Sequence, residues 1–226
     1  MQYDVVFYGE KALLINFKNE ISPEVHQHVK MCYFYLKSLK LNGIEALIPA
    51  YNSLTVVFNI DKIERKTLKV LLENIPFEKE TKIATSSKTV KIPVCYDVSL
   101  GIDLKEVSLK LNLSISKIIE LHASKPYLVY MLGFAPGFMY LGGLDKRLHI
   151  PRKKTPRLKI HAGAVGLADQ QTGVYPLETP GGWQIIGQTP LSLFNPKQPS
   201  LVEMGNFVQF VPITLREFHQ IQQKCK

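Results

Sequence analysis

AGAVGLADQQTGVYPLETPGGWQIIGQTP, residues 162–190, is a string of short apolar runs cut by glycine and proline. AGAVGLA (162–168) and WQIIG (183–187) are too short for ordinary helices and are bounded by turn residues. Similar runs stand on both sides: YLVYML at 127–132, LSLF at 191–194 and FVQFVP at 207–212. Short strands separated by Gly/Pro turns predict a β-barrel or sandwich. A strand, TVKIPVCY (89–96), precedes them. Two short helices follow that strand. Asp103 with Glu106 reads as a capping box, and Ser114 caps ISKIIELHAS. The tail from Thr214 is expected to be a short polar helix.

The first 80 residues read differently. YDVVFYG (3–9) and ALLINF (12–17) are β-rich, with a turn at Gly9-Glu10-Lys11. A helix then starts at Ser22, with Pro23 in its first turn and Glu24 beside the positive end of the dipole. Val25, Val29, Cys32, Leu36 and Leu39 give it one apolar face, and Gly43 closes it. IEALIPA (44–50) and SLTVVFN (53–59) are two more strands. Asp61 and Glu64 predict a second capped helix, with Ile63, Leu68, Leu71, Leu72 and Ile75 as its buried stripe. The order ββαββα predicts a small α+β sandwich. Residues 78–88, EKETKIATSSK, are polar and mark the boundary. The expected class is α+β: a small sandwich domain over 1–80 and a barrel domain over 81–226.

The 226 residues are 46% apolar and 21% charged, so the chain buries a core. The formal charge of +9 comes from lysines spread along the chain. A solvated surface explains it best, an anionic substrate or partner next, and nucleic acid last. Cys32, Cys95 and Cys225 lie far apart with no zinc spacing, which predicts reduced thiols in a cytoplasmic protein. The N-terminus has no signal-peptide pattern, and no apolar run of eighteen residues predicts a membrane span.

There is no GxxxxGK[ST] phosphate loop, no GxSxG elbow and no HExxH helix. His26 and His28, two apart on a helix, cannot share a metal and are expected at the surface. No metal site is expected. Chemistry-bearing residues crowd into 122–195. GFAPGFMYLGG (133–143) is both bendable and apolar, as a loop lining a site or seam would be. Lys146, Arg147, Arg152, Lys153, Lys154, Arg157 and Lys159 bring positive charge, and Arg152 and Arg157 could each fork onto a carboxylate or phosphate. A solvated basic loop is the alternative. His122, His149 and His161 are candidates for acid/base work. Trp183 serves as a core anchor or a pocket wall, and the sequence leaves both open.

These stretches resemble a known family. GFAPGFMYLGGLDKRLHIPRKKTPR, then AGAVGLADQQTGVYPLETPGGWQIIGQTPLSLFNP, is similar to the Kip-inhibitor family, also called the allophanate hydrolase subunit 1 family, and most to its 5-oxoprolinase branch. The motifs GF-x-PGF-x-YL-x-GL, P-R-x-x-TPR, QTG-x-YP and PGGWQ-x-IG-x-TP occur in order, and His122 matches a family histidine. His161, Asp169-Gln170 and Gly205-Asn206 depart from the common pattern.

The resemblance implies a cyclophilin-like β-barrel for the C-terminal half. It implies two partners: a second cyclophilin-like subunit and a third, TIM-barrel-like one. It implies ATP-dependent opening of 5-oxo-L-proline to L-glutamate, with ATP and Mg in the assembled complex and this chain inactive alone. Other branches inhibit a sporulation histidine kinase or act as biotin-dependent carboxyltransferases on urea. This chain has no Met-Lys-Met biotin-carrier motif. A prolyl isomerase follows from fold alone and ranks last. For the opening of 5-oxo-L-proline the expected catalytic residues are Arg152 and Arg157, to meet charge developing on the amide oxygen, and His122, for proton transfer or for positioning. Binding residues are expected in the glycine-aromatic loop (Phe134, Pro136, Gly137, Phe138, Tyr140), at Thr155, in the QTG-x-YP turn (Gln171, Thr172, Gly173, Tyr175) and at Gly181, Gly182 and Trp183.

Overall fold

A computed structural model describes residues 2–77, 87–197 and 200–224. The chain divides into two compact units, residues 1–86 and 87–226. The boundary expected at 80/81 falls outside the described residues.

The first unit has strands β1 (Asp4–Phe7), β2 (Ala12–Asn16), β3 (Ile44–Pro49) and β4 (Ser53–Phe58). They form one antiparallel sheet in the order β1-β2-β4-β3. Helices α1 (Pro23–Leu39) and α2 (Arg65–Glu73) complete the ββαββα order. Leu13, Ile15, Leu54, Val56 and Phe58 alternate along β2 and β4 and are wholly buried. Ser22 caps α1 by accepting from the Val25 N–H. Val25, Val29, Cys32 and Leu36 form the buried stripe, while Leu39 is exposed. The helix ends at Lys40 in the left-handed region, before the expected Gly43. His26 is buried rather than at the surface. The Asp61 capping box does not form, because α2 starts only at Arg65 and Glu64 accepts from the Thr67 hydroxyl instead.

The second unit has barrel strands β5 (Thr89–Cys95), β6 (Tyr127–Leu132), β7 (Met139–Gly142), β9 (Ala164–Ala168), β10 (Gln171–Val174), β12 (Gln184–Gln188) and β13 (Phe207–Ile213). They close in the order β10-β7-β6-β13-β5-β12-β9. Strand β8 (Arg157–Ile160) pairs with β11 (Thr179–Gly181) in a separate ribbon. Strands β5 and β13 run parallel, and the other barrel pairs are antiparallel. Ile92, Val129, Leu141, Val165, Leu167, Val174, Ile186, Val208 and Phe210 belong to one buried core. Helices α3 (Leu104–Leu111) and α4 (Ile115–Ala123) contribute Leu104, Val107, Ile118 and Leu121 to it.

Ser114 caps α4 by accepting from the Lys117 N–H. A reciprocal cap at Thr214 and Glu217 starts α5 (Leu215–Lys224). LSLF (191–194) forms no strand. GFAPGFMYLGG is a loop only in its first half, because MYLG is the barrel strand β7. Cys32 and Cys95 are free and buried, and Cys225 lies outside the described residues. No helix among the described residues is long and apolar enough to cross a membrane.

Candidate functional site on the outer wall of the barrel

The wall formed by β7, β10, β9 and β12 is buried on both sides. Strands β9 and β10 are buried at every position. Inward lie Val165, Leu167 and Val174. Outward lies a second core of Phe138, Ile160, Ala164, Ala168, Tyr175, Trp183 and Ile185, with Ala135 and Tyr140 against it. Two glycines make room for the indole. A Cβ on Gly173 would stand 2.9 Å from the Trp183 ring and 2.8 Å from the Met139 carbonyl oxygen. A Cβ on Gly166 would stand 3.1 Å from the Trp183 Cβ. Phe138 meets Trp183 edge-on at 5.4 Å, and Tyr140 and Tyr175 lie at 6.0 and 6.3 Å. Trp183 is 4% exposed, so it is a core anchor, and its neighbour Tyr140 carries the shelf toward solvent. Burial pushes the Tyr175 hydroxyl up to about 12, and the Trp183 backbone, Arg152 and Arg157 oppose that shift.

Phe134 projects from the rim, 64% exposed, with its ring edge-on to Phe138 and Tyr175. Its φ of 68° is rare for a bulky residue. Gly137 takes φ 82° in the same turn, and Pro136 is exposed.

Segment 150–153 is pinned alongside this shelf. Ile150 and Asp169 exchange backbone hydrogen bonds, Gln184 Nε2 donates to the Pro151 carbonyl, and the Lys153 N–H donates to the Gly182 carbonyl. Arg152 is thereby set with its guanidinium carbon 5.9 Å from the Trp183 ring. Its Nε donates to Asp169 at 3.2 Å, an ion pair more than half exposed on both sides. Such a pair is screened by water and opens readily.

Asp103, read from sequence as a helix cap, does something else. Its carboxylate makes no cap hydrogen bond to α3. It is 2% exposed, accepts from the Ile185 N–H at 2.8 Å, and pairs with Arg157 and with Lys153, the latter at 2.9 Å. Glu106, the other half of the expected box, pairs instead with Lys110 and Lys153, which hold its carboxyl down at about 2. Arg157 Nη1 is buried without a hydrogen-bond partner among the described residues. The basic loop is therefore partly neutralised and tied down. No local signal near Asp103 announces this, because Arg157 is 54 positions away.

The remaining expected residues divide. Gln171 and Gly173 belong to the outer wall, Gly181 lies on β11 with Gly182 just after it, and Thr155 is exposed in the loop. His149 is half-buried and His161 exposed, the latter 3.4 Å from Glu178. Thr172 and His122 point the other way, into the barrel. His122 has no exposed surface, stacks on Phe210 at 4.6 Å, and bonds Tyr96 and Thr172. Burial drives its imidazole down to about 3. His122, expected for proton transfer or for positioning, has both ring nitrogens bonded inside the barrel.

The chain has known relatives. Residues 3–202 match the family described as carboxyltransferase domain, subdomain C and D, and the chain belongs to that family. It is 39% identical to a 5-oxoprolinase subunit of Bacillus subtilis (strain 168), over 99% of this chain and 98% of the relative. It is 45% identical to the corresponding 5-oxoprolinase subunit of Escherichia coli O157:H7, over 76% of this chain and 78% of the relative. The crystal structure of TTHA0988 superposes with a TM-score of 0.80 at 33% identity over 90% of this chain. This chain spans only 40% of that longer one.

Proposed function

We propose that this chain is one subunit of an ATP-dependent 5-oxoprolinase that hydrolyses 5-oxo-L-proline to L-glutamate with two partner subunits. The observation that carries the reading is the end-to-end match to a 5-oxoprolinase subunit, at 39% identity. The outer wall supports it. A small cyclic amide bearing a carboxylate needs a cation for the carboxylate, a flat apolar surface for the ring, and donors for the amide oxygen. Arg152 exchanges its loose partner Asp169 for the carboxylate. Tyr140 and the rim residue Phe134 flank the ring. Arg157, tied to Asp103 beside this face, lends positive charge at a distance to the amide oxygen.

Opening an unstrained lactam is uphill, so hydrolysis is coupled to ATP. The overall change consumes the lactam, ATP and two waters, and yields glutamate, ADP and phosphate. The triphosphate itself fits this face poorly, because Asp103 and Glu106 already occupy Arg157 and Lys153. We assign ATP and its Mg to a partner chain. A second cyclophilin-like subunit and a TIM-barrel-like subunit are the partners proposed.

The test is reconstitution: co-expression with the two matching subunits, then glutamate measured with and without ATP. Glutamate only with ATP and all three chains is the expected result, and Arg152→Ala should abolish it while leaving the complex assembled. A well-formed complex that makes no glutamate would sink the reading. A second reading, carboxyl transfer to an amide, is favoured by the family description and by 22% identity to urea amidolyase of Saccharomyces cerevisiae, over 96% of this chain. Inhibition of the assembled complex by avidin would mark it.

A further inference from the structure

The hydrogen bonds around His122 have a single consistent direction. Thr172 carries one hydroxyl hydrogen, and a carbonyl oxygen only accepts. At 3.0 Å the Thr172 hydroxyl donates to the Gly166 carbonyl. The 2.8 Å contact between Thr172 Oγ1 and His122 Nε2 then runs from the ring to the oxygen, so Nε2 carries a hydrogen. In a neutral imidazole the other nitrogen is a bare acceptor. Nδ1 therefore takes the Tyr96 hydroxyl hydrogen at 2.7 Å. The imidazolium form would force Tyr96 to accept, and would bury a positive charge between the rings of Phe210 and Tyr127. The Tyr127 hydroxyl is committed to the His122 carbonyl at 2.8 Å.

The chain Tyr96, His122, Thr172, Gly166 thus runs from the barrel interior to the outer wall. Gly166 lies directly under the Trp183 Cβ, and Gly173, next to Thr172, lies under its ring. We propose that His122 is a positioning residue: as the neutral Nε2–H tautomer it locks β9 to β10 through Thr172 and the Gly166 carbonyl, and so sets the floor on which Trp183 and Arg152 stand. It exchanges no proton with substrate. The activity readout below rests on the oxoprolinase reading; the spectroscopic ones do not.

The first test is nitrogen NMR of the full chain labelled with 15N-histidine at pH 7. One histidine, lost in His122→Gln and displaced in Thr172→Val, should show a protonated Nε2 and a bare Nδ1. An Nδ1–H tautomer or an imidazolium there overturns the proposal. The second test compares Thr172→Val and Thr172→Ser. Trp183 is the sole tryptophan, so its emission reports on the wall alone. Thr172→Val should shift that emission and, in the three-chain complex, raise KM for 5-oxo-L-proline roughly two- to tenfold, the range of one lost hydrogen bond. The pH profile of kcat should be unchanged, and Thr172→Ser should restore emission and KM. Loss of one limb of the kcat profile in Thr172→Val would instead make His122 a proton carrier. Wild-type complex without glutamate would reject the oxoprolinase reading, while NMR and emission would still decide the case of His122.

Discussion

Thr172 and Gly173 are neighbours on one strand and face opposite worlds. Inside, Thr172 meets a buried ring whose two nitrogens are both bonded. Outside, Gly173 has no side chain, so that an indole can lie against the strand and a guanidinium can stand beside it. The inner face is closed by saturation. The outer face is covered by a second aromatic cluster, with an exposed ion pair at its edge. Polar groups that are fully satisfied specify a structure, whereas polar groups with loose or missing partners can bind something else.

The largest test of this contrast removes the anchor of the outer face. Trp183→Ala should cost about 3–5 kcal/mol of unfolding free energy by urea titration. A loss below about 1 kcal/mol, on the scale of an ordinary surface substitution, would mean that the outer cluster is no second core. Gly173→Ala comes next, at about 3 kcal/mol, because its Cβ meets both the Met139 carbonyl and the indole. Gly133→Ala is the control, since its Cβ would meet only the end of the Met131 side chain, and it should stay within about 0.5 kcal/mol.

The inner face is tested by pH. The imidazole of His122 is depressed in the folded state to about 3, while the unfolded chain takes up its proton near 6.5. Above about pH 6.5 both states are neutral, and the stability is fully present. As pH falls below that point only the unfolded state gains the proton, so stability drops by about 1.4 kcal/mol per pH unit. Between about pH 6.5 and 5 the loss should be about 2 kcal/mol, and His122→Gln should flatten it. A flat wild-type profile would place His122 in contact with water. The smallest effect belongs to Asp169→Asn, which should change stability by less than about 0.5 kcal/mol, because its pair with Arg152 is exposed and asparagine tolerates the φ of 54° there.

Local chemistry is legible where one segment decides its own conformation. The Ser22 and Ser114 caps, the YLVYML strand and the ββαββα order all stand where periodicity and caps put them. QTGV is not legible as a strand. A strand buried on both faces loses its alternation, and here one face is covered by Trp183 from a distant turn. Asp103 misleads for a related reason: its local pattern is that of a helix cap, but Arg157 and Lys153 outcompete the helix N-terminus for the carboxylate. His122 stands out in the sequence as a candidate, yet nothing in ELHAS tells which side of a barrel wall its helix will present. In the fold it is wholly buried, with its ring against Phe210.

By itself, then, the sequence determined the two kinds of architecture, the residue types gathered in 122–195 and the family they resemble, because composition, periodicity and motif order are local properties. Only the tertiary structure decided which of those residues share a face. Closing a barrel turns alternate residues to opposite sides, so Thr172 belongs to the interior and Gly173 to the outer wall, one peptide bond apart.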